Sequence, residues 1–517
     1  MSAAPAPLPP LEPGARRLAT VALSLATFMN VLDTTIANVS LPNIAGDLGV
    51  SPTQGTWVIT SFGVANAIAV PLTGWLSQRV GQVRLFVASV VLFVLASLLC
   101  GLAGSLEMLI AARVLQGAVA GPMIPLSQAL LLQAYPREKS GMALAMWSMT
   151  TLVAPVMGPI LGGWLSDNLS WPWIFYINVP VGIGAAWMSW QLLKHRETPT
   201  RKLPIDKVGL ALLVIWVGAL QIMLDKGKEL DWFESGEIIA LAAVTVVGFA
   251  LFVVWELTEE HPVVDLTLFA RPNFLFGVIA LATAYGVFFG NVVVLPLWLQ
   301  QYMGYTATWA GLVTAPIGIL ALLLSPAVGK ILPRTDPRRL ATVAFLVFAL
   351  VSFMRSGFST DIAPGSIVVP QLIQGIAMAC FFIPLVSITL SGLPMERVPS
   401  ASGVSNFVRI TCGAFGASLM TTLWERRAAL HHEQLAAQVS AYNPVASETL
   451  GQLQAQGFDL ARGLGVLERQ VNVQAFSLAA NDVFWASGCL FLLLLVSVWL
   501  TRPGHSRPVA ASGDAAH

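Results

Sequence analysis

The chain is expected to be an all-α membrane protein in which fourteen spans form two six-helix bundles with two further helices between them. Three observations carry this expectation. Hydrophobic residues make up 56% of the 517 positions and charged residues 11%, against about 25% charged in soluble globular proteins. Fourteen apolar segments approach the roughly 20 residues that a helix needs to cross a bilayer. Short motifs of the first half also recur in the second at a nearly constant offset.

From the N-terminus, residues 1–17 form a tail whose Ala/Pro-rich start is expected to be disordered. The first bundle, 18–193, holds spans near 18–41, 57–77, 86–104, 107–134, 141–165 and 172–193. Its first span is too long for a signal peptide and lacks a small-residue cleavage site, so it is expected to be kept. A linker, 194–265, adds spans near 205–225 and 236–256. The second bundle, 266–502, holds spans near 274–299, 308–330, 339–357, 366–390, 400–424 and 483–501, with a polar outer loop at 425–482 and a tail at 503–517. With both termini cytoplasmic, the inner segments hold nineteen of the twenty-eight Lys and Arg and the outer ones seven, and cytoplasmic loops are the ones enriched in positive charge. A bacterial inner membrane with both ends inside is the expected setting.

The repeat is readable at two places. Gly74-Trp-Leu-Ser-Gln78-Arg79-Val-Gly81-Gln-Val-Arg84 matches Gly329-Lys-Ile-Leu-Pro-Arg334-Thr-Asp336-Pro-Arg338-Arg339 in its Gly, Arg and final Arg. Leu115-Gln116-Gly117, Pro125-Leu126 and Pro136-Arg-Glu138 are echoed by Ile373-Gln374-Gly375, Pro384-Leu385 and Pro394-Met-Glu396. Two matches in order at one spacing point to a duplication, and parallel six-helix halves with a central site between them are a transporter architecture.

Asp33 is the residue most telling of function. A charged side chain at the centre of a span costs about 2.5–3.5 kcal/mol on insertion scales, so it is retained for ion or proton traffic or for a partner inside the bundle. Asp33 lies about 22 Å along its helix from the cytoplasmic start, at 1.5 Å per residue, in the same half of the bilayer as Arg113. A carboxylate there can alternate between protonated and ionised forms, balanced between desolvation and a nearby cation; a static buried ion pair is the plainer alternative. Arg409, inside the thirteenth span, is a second intramembrane cation that suits an anionic substrate group or a snorkelling structural role. Asn30, Asn38, Gln116 and Asn291 are candidate polar cavity contacts. Met29, Met149, Tyr285, Phe288, Phe289 and Trp298 suit bulky lipophilic ligands, though each equally suits lipid or core.

Together with Trp57-Val-Ile-Thr60, Pro155 to Gly163, Trp173-Ile-Phe-Tyr-Ile-Asn178-Val-Pro180, Leu224 to Phe233 and Ser391 to Arg409, these motifs resemble the fourteen-span drug:proton antiporters of the major facilitator superfamily almost end to end. The resemblance implies exchange of protons for hydrophobic drugs and uncoupler-like weak acids, with Asp33 and Arg113 as the proton-coupling pair. It makes Gly158-Pro159-Ile-Leu-Gly162-Gly163 the antiporter signature, a hinge and seal where small residues let helices touch. Ala154 stands where the family has an earlier glycine. It also makes Gly74, Arg79, Gly81 and Arg84 a gating loop, although Gln78 replaces the family's usual acid and positive-inside topology alone would explain the arginines. Multidrug permeases of this type work with a periplasmic membrane-fusion adaptor and an outer-membrane channel, so the resemblance implies a tripartite pump.

Within 425–482, residues 425–439 have helical spacing and Asn443-Pro444 breaks it; His431 and His432 read as solvated. A long outer loop is a fair docking place for a partner. No phosphate loop and no zinc-binding helix motif is present, so no cofactor, metal or nucleic-acid partner is expected and the driving force is the proton motive force. The four cysteines fall in spans, which argues against disulfides. An exporter dedicated to an endogenous metabolite or siderophore fits the same features; a non-transporting membrane receptor would need a soluble module that no segment supplies.

Overall fold

The computed structural model describes residues 11–136, 139–201, 204–440 and 442–502. Most of the first tail, Arg137, Glu138, Lys202 and the tail 503–517 lie outside the described residues. Each of the fourteen expected spans falls on a helix or a broken helix. The first half comprises α1 (Pro13–Asp47), α2 (Trp57–Ala69 and Thr73–Val80), α3 (Gln82–Gly101), α4 (Leu106–Ala120 and Met123–Ala134), α5 (Ser140–Asn168) and α6 (Trp173–Tyr176 and Asn178–Leu193). The inserted pair is α7 (Lys207–Lys226) and α8 (Gly236–Thr258). The second half holds α9 (Pro272–Gln301), α10 (Ala307–Thr314 and Ile317–Ile331), α11 (Pro337–Arg355), α12 (Pro364–Thr389), α13 (Val398–Ala436), α14 (Pro444–Ala455) and α15 (Leu460–Trp499).

Three of the breaks coincide with proline. Pro71 sits in the 62° bend of α2, Gly121-Pro122 divides α4 and Pro316 divides α10; a ring without an N–H removes a helical hydrogen bond and crowds the preceding turn. Among the described residues ten helices are long and apolar enough to cross a membrane, or eleven with the bent α2. The less apolar α13 buries Ser400, Ser402, Ser405, Asn406 and Arg409, because one of its faces looks into the protein and not into lipid. By contrast α8 leaves Val246, Val247, Val254 and Leu257 exposed, an apolar face suited to acyl chains.

Each half has its own core, and α7 with α8 packs between them. Trp216, Leu220 and Phe252 of this pair share a cluster with Ala67 of α2, Phe274 of α9 and Val404 of α13. At the end opposite the arginine-rich loops, α7 and the turn after it bind both halves. Thr60 of α2 donates to Asp225, Ser418 of α13 donates to the Leu224 carbonyl at 3.0 Å, and Lys228 pairs with Glu425 at 2.6 Å.

The stretch 425–482 is helical as expected near its start and, beyond that expectation, over most of its length. α13 continues to Ala436 and α15 starts at Leu460, so the last span is the end of a 40-residue helix. The hairpin is held by polar pairs across it: Asp482 receives Arg427 at 2.6 Å and His431 at 2.7 Å, and His432 meets Glu468 at 3.0 Å. These histidines are therefore cross-links between helices, and the expected break at Asn443 is the N-cap of α14.

Candidate functional site

Asp33 of α1 is fully buried, and the polar network around it draws on α2, α3, α4 and α6. Its Oδ2 accepts Arg113 Nη1 of α4 at 2.5 Å. Its Oδ1 accepts Gln116 Nε2 of α4 and Asn178 Nδ2 of α6, both at 3.0 Å. Ser97 of α3 receives the same two amides at 2.8 and 3.3 Å, and the Cys100 thiol reaches Gln116 Oε1 at 3.5 Å. Arg113 also donates Nε to the Val58 carbonyl of α2 at 3.0 Å, and its guanidinium lies 4.2 Å from the Phe62 ring centroid. The charge is thus desolvated, but three donors, one of them a cation, meet its two oxygens, the kind of compensation a buried ion pair needs.

The antiporter-signature glycines lie against α1 within one turn of this carboxylate. A Cβ added at Gly158 would stand 2.1 Å from Thr35 Oγ1, and one at Gly162 would stand 2.8 Å from Ile36 Cγ1. A Cβ at Gly163 would meet nothing within 4 Å, so the close approach belongs to the first two. α5 runs through position 159; the Pro159 side chain lies outside the described residues.

At the arginine-rich end the halves touch through glycines. A Cβ at Gly74 of α2 would be 2.6 Å from Ser400 Cβ of α13, and one at Gly141 of α5 would be 2.5 Å from the Gly329 carbonyl of α10. Gly74 and Gly329 are the repeat-related positions, so the same contact is made twice. Gly81 ends α2 with φ +96°. The Glu197 carboxylate beside it accepts the amides of Val83 and Arg84 at 3.1 and 2.8 Å, and Arg84 Nε lies 4.0 Å from it. Arg79 lies over Trp75, 5.3 Å from the ring centroid.

Between the halves lies a space of about 10 Å³, room for one water. Gln128 and Trp147 line it from the first half and Phe382, Ser405, Asn406 and Arg409 from the second. Arg409 is buried; Nη2 donates to Asn406 Oδ1 at 2.8 Å, and the guanidinium lies 4.7 Å from the Tyr285 ring centroid. Among the described residues no carboxylate pairs with it. Phe289 stacks on Tyr285 at 5.7 Å.

The other cavity candidates are not brought to this space. Gln116 belongs to the Asp33 cluster. Asn30 donates to the Ala120 carbonyl at 3.0 Å, where α4 breaks. Asn291 donates to the Val287 carbonyl at 3.0 Å and accepts from Ser487 at 3.3 Å, and Asn38 is exposed. Met29 and Trp298 are core residues. Ser97 and Asn178 had not been singled out, although a lone Asn inside the motif before Val-Pro180 was a usable signal. Arg355 was also missed: it is buried in α11 and donates to Gln374, the repeat partner of Gln116.

Residues 23–417 match the Major Facilitator Superfamily. The chain belongs to this superfamily. It is therefore a multi-pass secondary transporter and not an enzyme. It is 53% identical over 496 residues to the multidrug export protein EmrB of Haemophilus influenzae, covering 96% of this chain and 97% of that one. It is 50% identical to the fatty acid resistance protein FarB of Neisseria gonorrhoeae, covering 96% and 98%. The fold also matches the crystal structure of the human organic anion transporter MFSD10 at a TM-score of 0.59 and 13% identity, over 94% of this transporter and 100% of that chain.

Proposed function

We propose that this transporter is a proton-coupled multidrug exporter of a bacterial inner membrane, an EmrB-type permease that expels hydrophobic drugs and lipophilic weak acids by alternating access. The observation that carries the reading is the fully buried Asp33 carboxylate with one cation, Arg113, and neutral donors around it. Protonation removes the charge that Arg113 neutralises, so α1, α4 and α6 lose a reason to stay in this arrangement. Because α5 rests on α1 at Thr35 and Ile36, a shift of α1 is passed to a helix that also touches the second half at Gly329. The membrane potential supplies about 2.3 kcal/mol per charge per 100 mV to drive the cycle.

The excess of Lys and Arg in alternate loops supports cytoplasmic termini and a closed cytoplasmic end at Gly74 and Gly141. Arg409, a cation at the boundary of the halves with no carboxylate partner among the described residues, supports anionic amphipathic cargo, and a relative named for fatty acid resistance agrees with it. An exporter dedicated to one such endogenous acid is the second reading. The α13 to α15 hairpin supports docking of a periplasmic adaptor and, through it, an outer-membrane channel.

The test is drug-driven proton movement in proteoliposomes under an imposed pH gradient. Wild type is expected to dissipate the gradient when a lipophilic drug is added, and Asp33→Asn is expected to bind the drug without moving protons. Proton movement by Asp33→Asn at the wild-type rate would remove Asp33 from the mechanism, and none by wild type would end the antiport reading.

A further inference from the structure

Two carboxylates outside the Asp33 cluster are buried, and they are buried together, at the arginine-rich end of the inserted helices. Asp206 caps α7. Its Oδ1 accepts the amides of Val208 and Gly209 at 3.1 and 2.9 Å, and both its oxygens receive the Trp255 indole, at 3.1 and 3.0 Å. Glu256, near the end of α8, is 3% exposed. Its Oε2 accepts the Val264 amide at 3.0 Å, whereas its Oε1 has no hydrogen-bond partner. A Cβ at Gly209 would lie 2.1 Å from Asp206 Oδ2 and 2.6 Å from Glu256 Oε1, so the two oxygens come together over one backbone position.

The other ionisable groups nearby do not neutralise them. Glu259, three residues beyond Glu256, adds a negative charge. Lys207, at the head of α7, is exposed. Asp265, before the short turn that leads into α9, bonds Thr267 and lies 3.9 Å from Arg397, and Arg271 donates to the Gly392 carbonyl. Among the described residues two ionised carboxylates would face each other there without a cation, and like charges sharing a desolvated site force one to keep its proton. The orphaned oxygen is the place for it.

We infer that Glu256 and Asp206 form a second proton-binding site, with the proton on Glu256 Oε1 donated to Asp206 Oδ2. Losing that proton sets two negative charges against each other across α7 and α8. The repulsion arises beside the Val264 amide that Glu256 accepts, at the start of the chain's entry into α9. The site gives the inserted pair a chemical role of its own, and it stands whatever the cargo proves to be.

Full-length transporter in lipid nanodiscs, in an Asp33→Asn background, is titrated by infrared difference spectroscopy in the protonated-carboxyl stretching region. A band present at neutral pH and lost on going alkaline is expected, and Glu256→Gln should remove it. Asp206→Asn preserves the cap and removes the like charge, so it should move the loss of the band to lower pH. A spectrum unchanged by Glu256→Gln overturns the site, and a titration unmoved by Asp206→Asn overturns the shared proton.

Discussion

Arg113 is held by Asp33, Gln116, the Val58 carbonyl and the Phe62 ring, and the balance among these decides what substitution does. Removing one member of a buried pair leaves a desolvated charge and costs about 3–5 kcal/mol, whereas replacing both by neutral groups is often tolerated. Arg113→Ala should therefore lower the thermal midpoint, read by tryptophan fluorescence, and Asp33→Asn with Arg113→Gln should recover much of it while remaining unable to move protons. The signature glycines give a sharper contrast. Gly158→Ala drives a methyl into Thr35, so drug efflux should fall steeply, while Gly163→Ala should transport at the wild-type rate because nothing lies within 4 Å of its new carbon. Asp33 and Arg113 were legible because charge in an apolar run is conspicuous. Asn178 was marked only by its motif and Ser97 by nothing, since small neutral polar residues are common in spans and only the meeting of α3, α4 and α6 gives them a partner.

Among the helices, polar chemistry at the ends carries much of the definition. Asp336 caps α11 by accepting the Arg338 amide at 3.0 Å and binds the Arg338 guanidinium at 2.7 Å. The side-chain hydrogen bond from Arg338 holds its carboxyl below the usual carboxylate range. A depressed folded-state value means that this stabilisation is full above the unfolded value, about 3.9, and is lost as pH falls through the folded one. Wild type should thus lose stability on acidification below about pH 4, and Asp336→Asn should lose less over that window in pH-dependent melting. The breaks at Pro71, Pro122 and Pro316 are not set apart in the sequence from Pro42, Pro296, Pro370 and Pro384, which lie inside unbroken helices. Within 425–482 the helical spacing of 425–439 and the break at Asn443 were legible; the long helix from Leu460 was not, because its polar first half reads as loop until Asp482, Arg427 and His431 are seen to pair across the hairpin.

For the whole molecule, the decisive contacts are those between halves. Gly141 and Gly329 face each other so closely that a Cβ at Gly141 would stand 2.5 Å from the Gly329 carbonyl. Gly141→Ala should therefore hold this end apart, so that drug export in proteoliposomes falls while drug binding persists. Export by Gly141→Ala at the wild-type rate would mean that this contact is not needed in the cycle. The inserted α7 also touches both halves, through Thr60 on one side and Ser418 on the other.

The helical spans and the conspicuous Asp33, Arg113 and Arg409 were legible in the sequence alone, because hydrophobic length and charge in apolar runs are local properties of the chain. Tertiary structure decided which of those residues meet. It put Gln116 with Asp33 and away from the boundary of the halves, tied Asn30 and Asn291 to backbone carbonyls, joined Glu256 to Asp206 and built a helical hairpin from a polar stretch. A side chain's direction around its helix, and the helix that arrives opposite it, depend on packing between segments far apart in the chain, and no spacing rule encodes that.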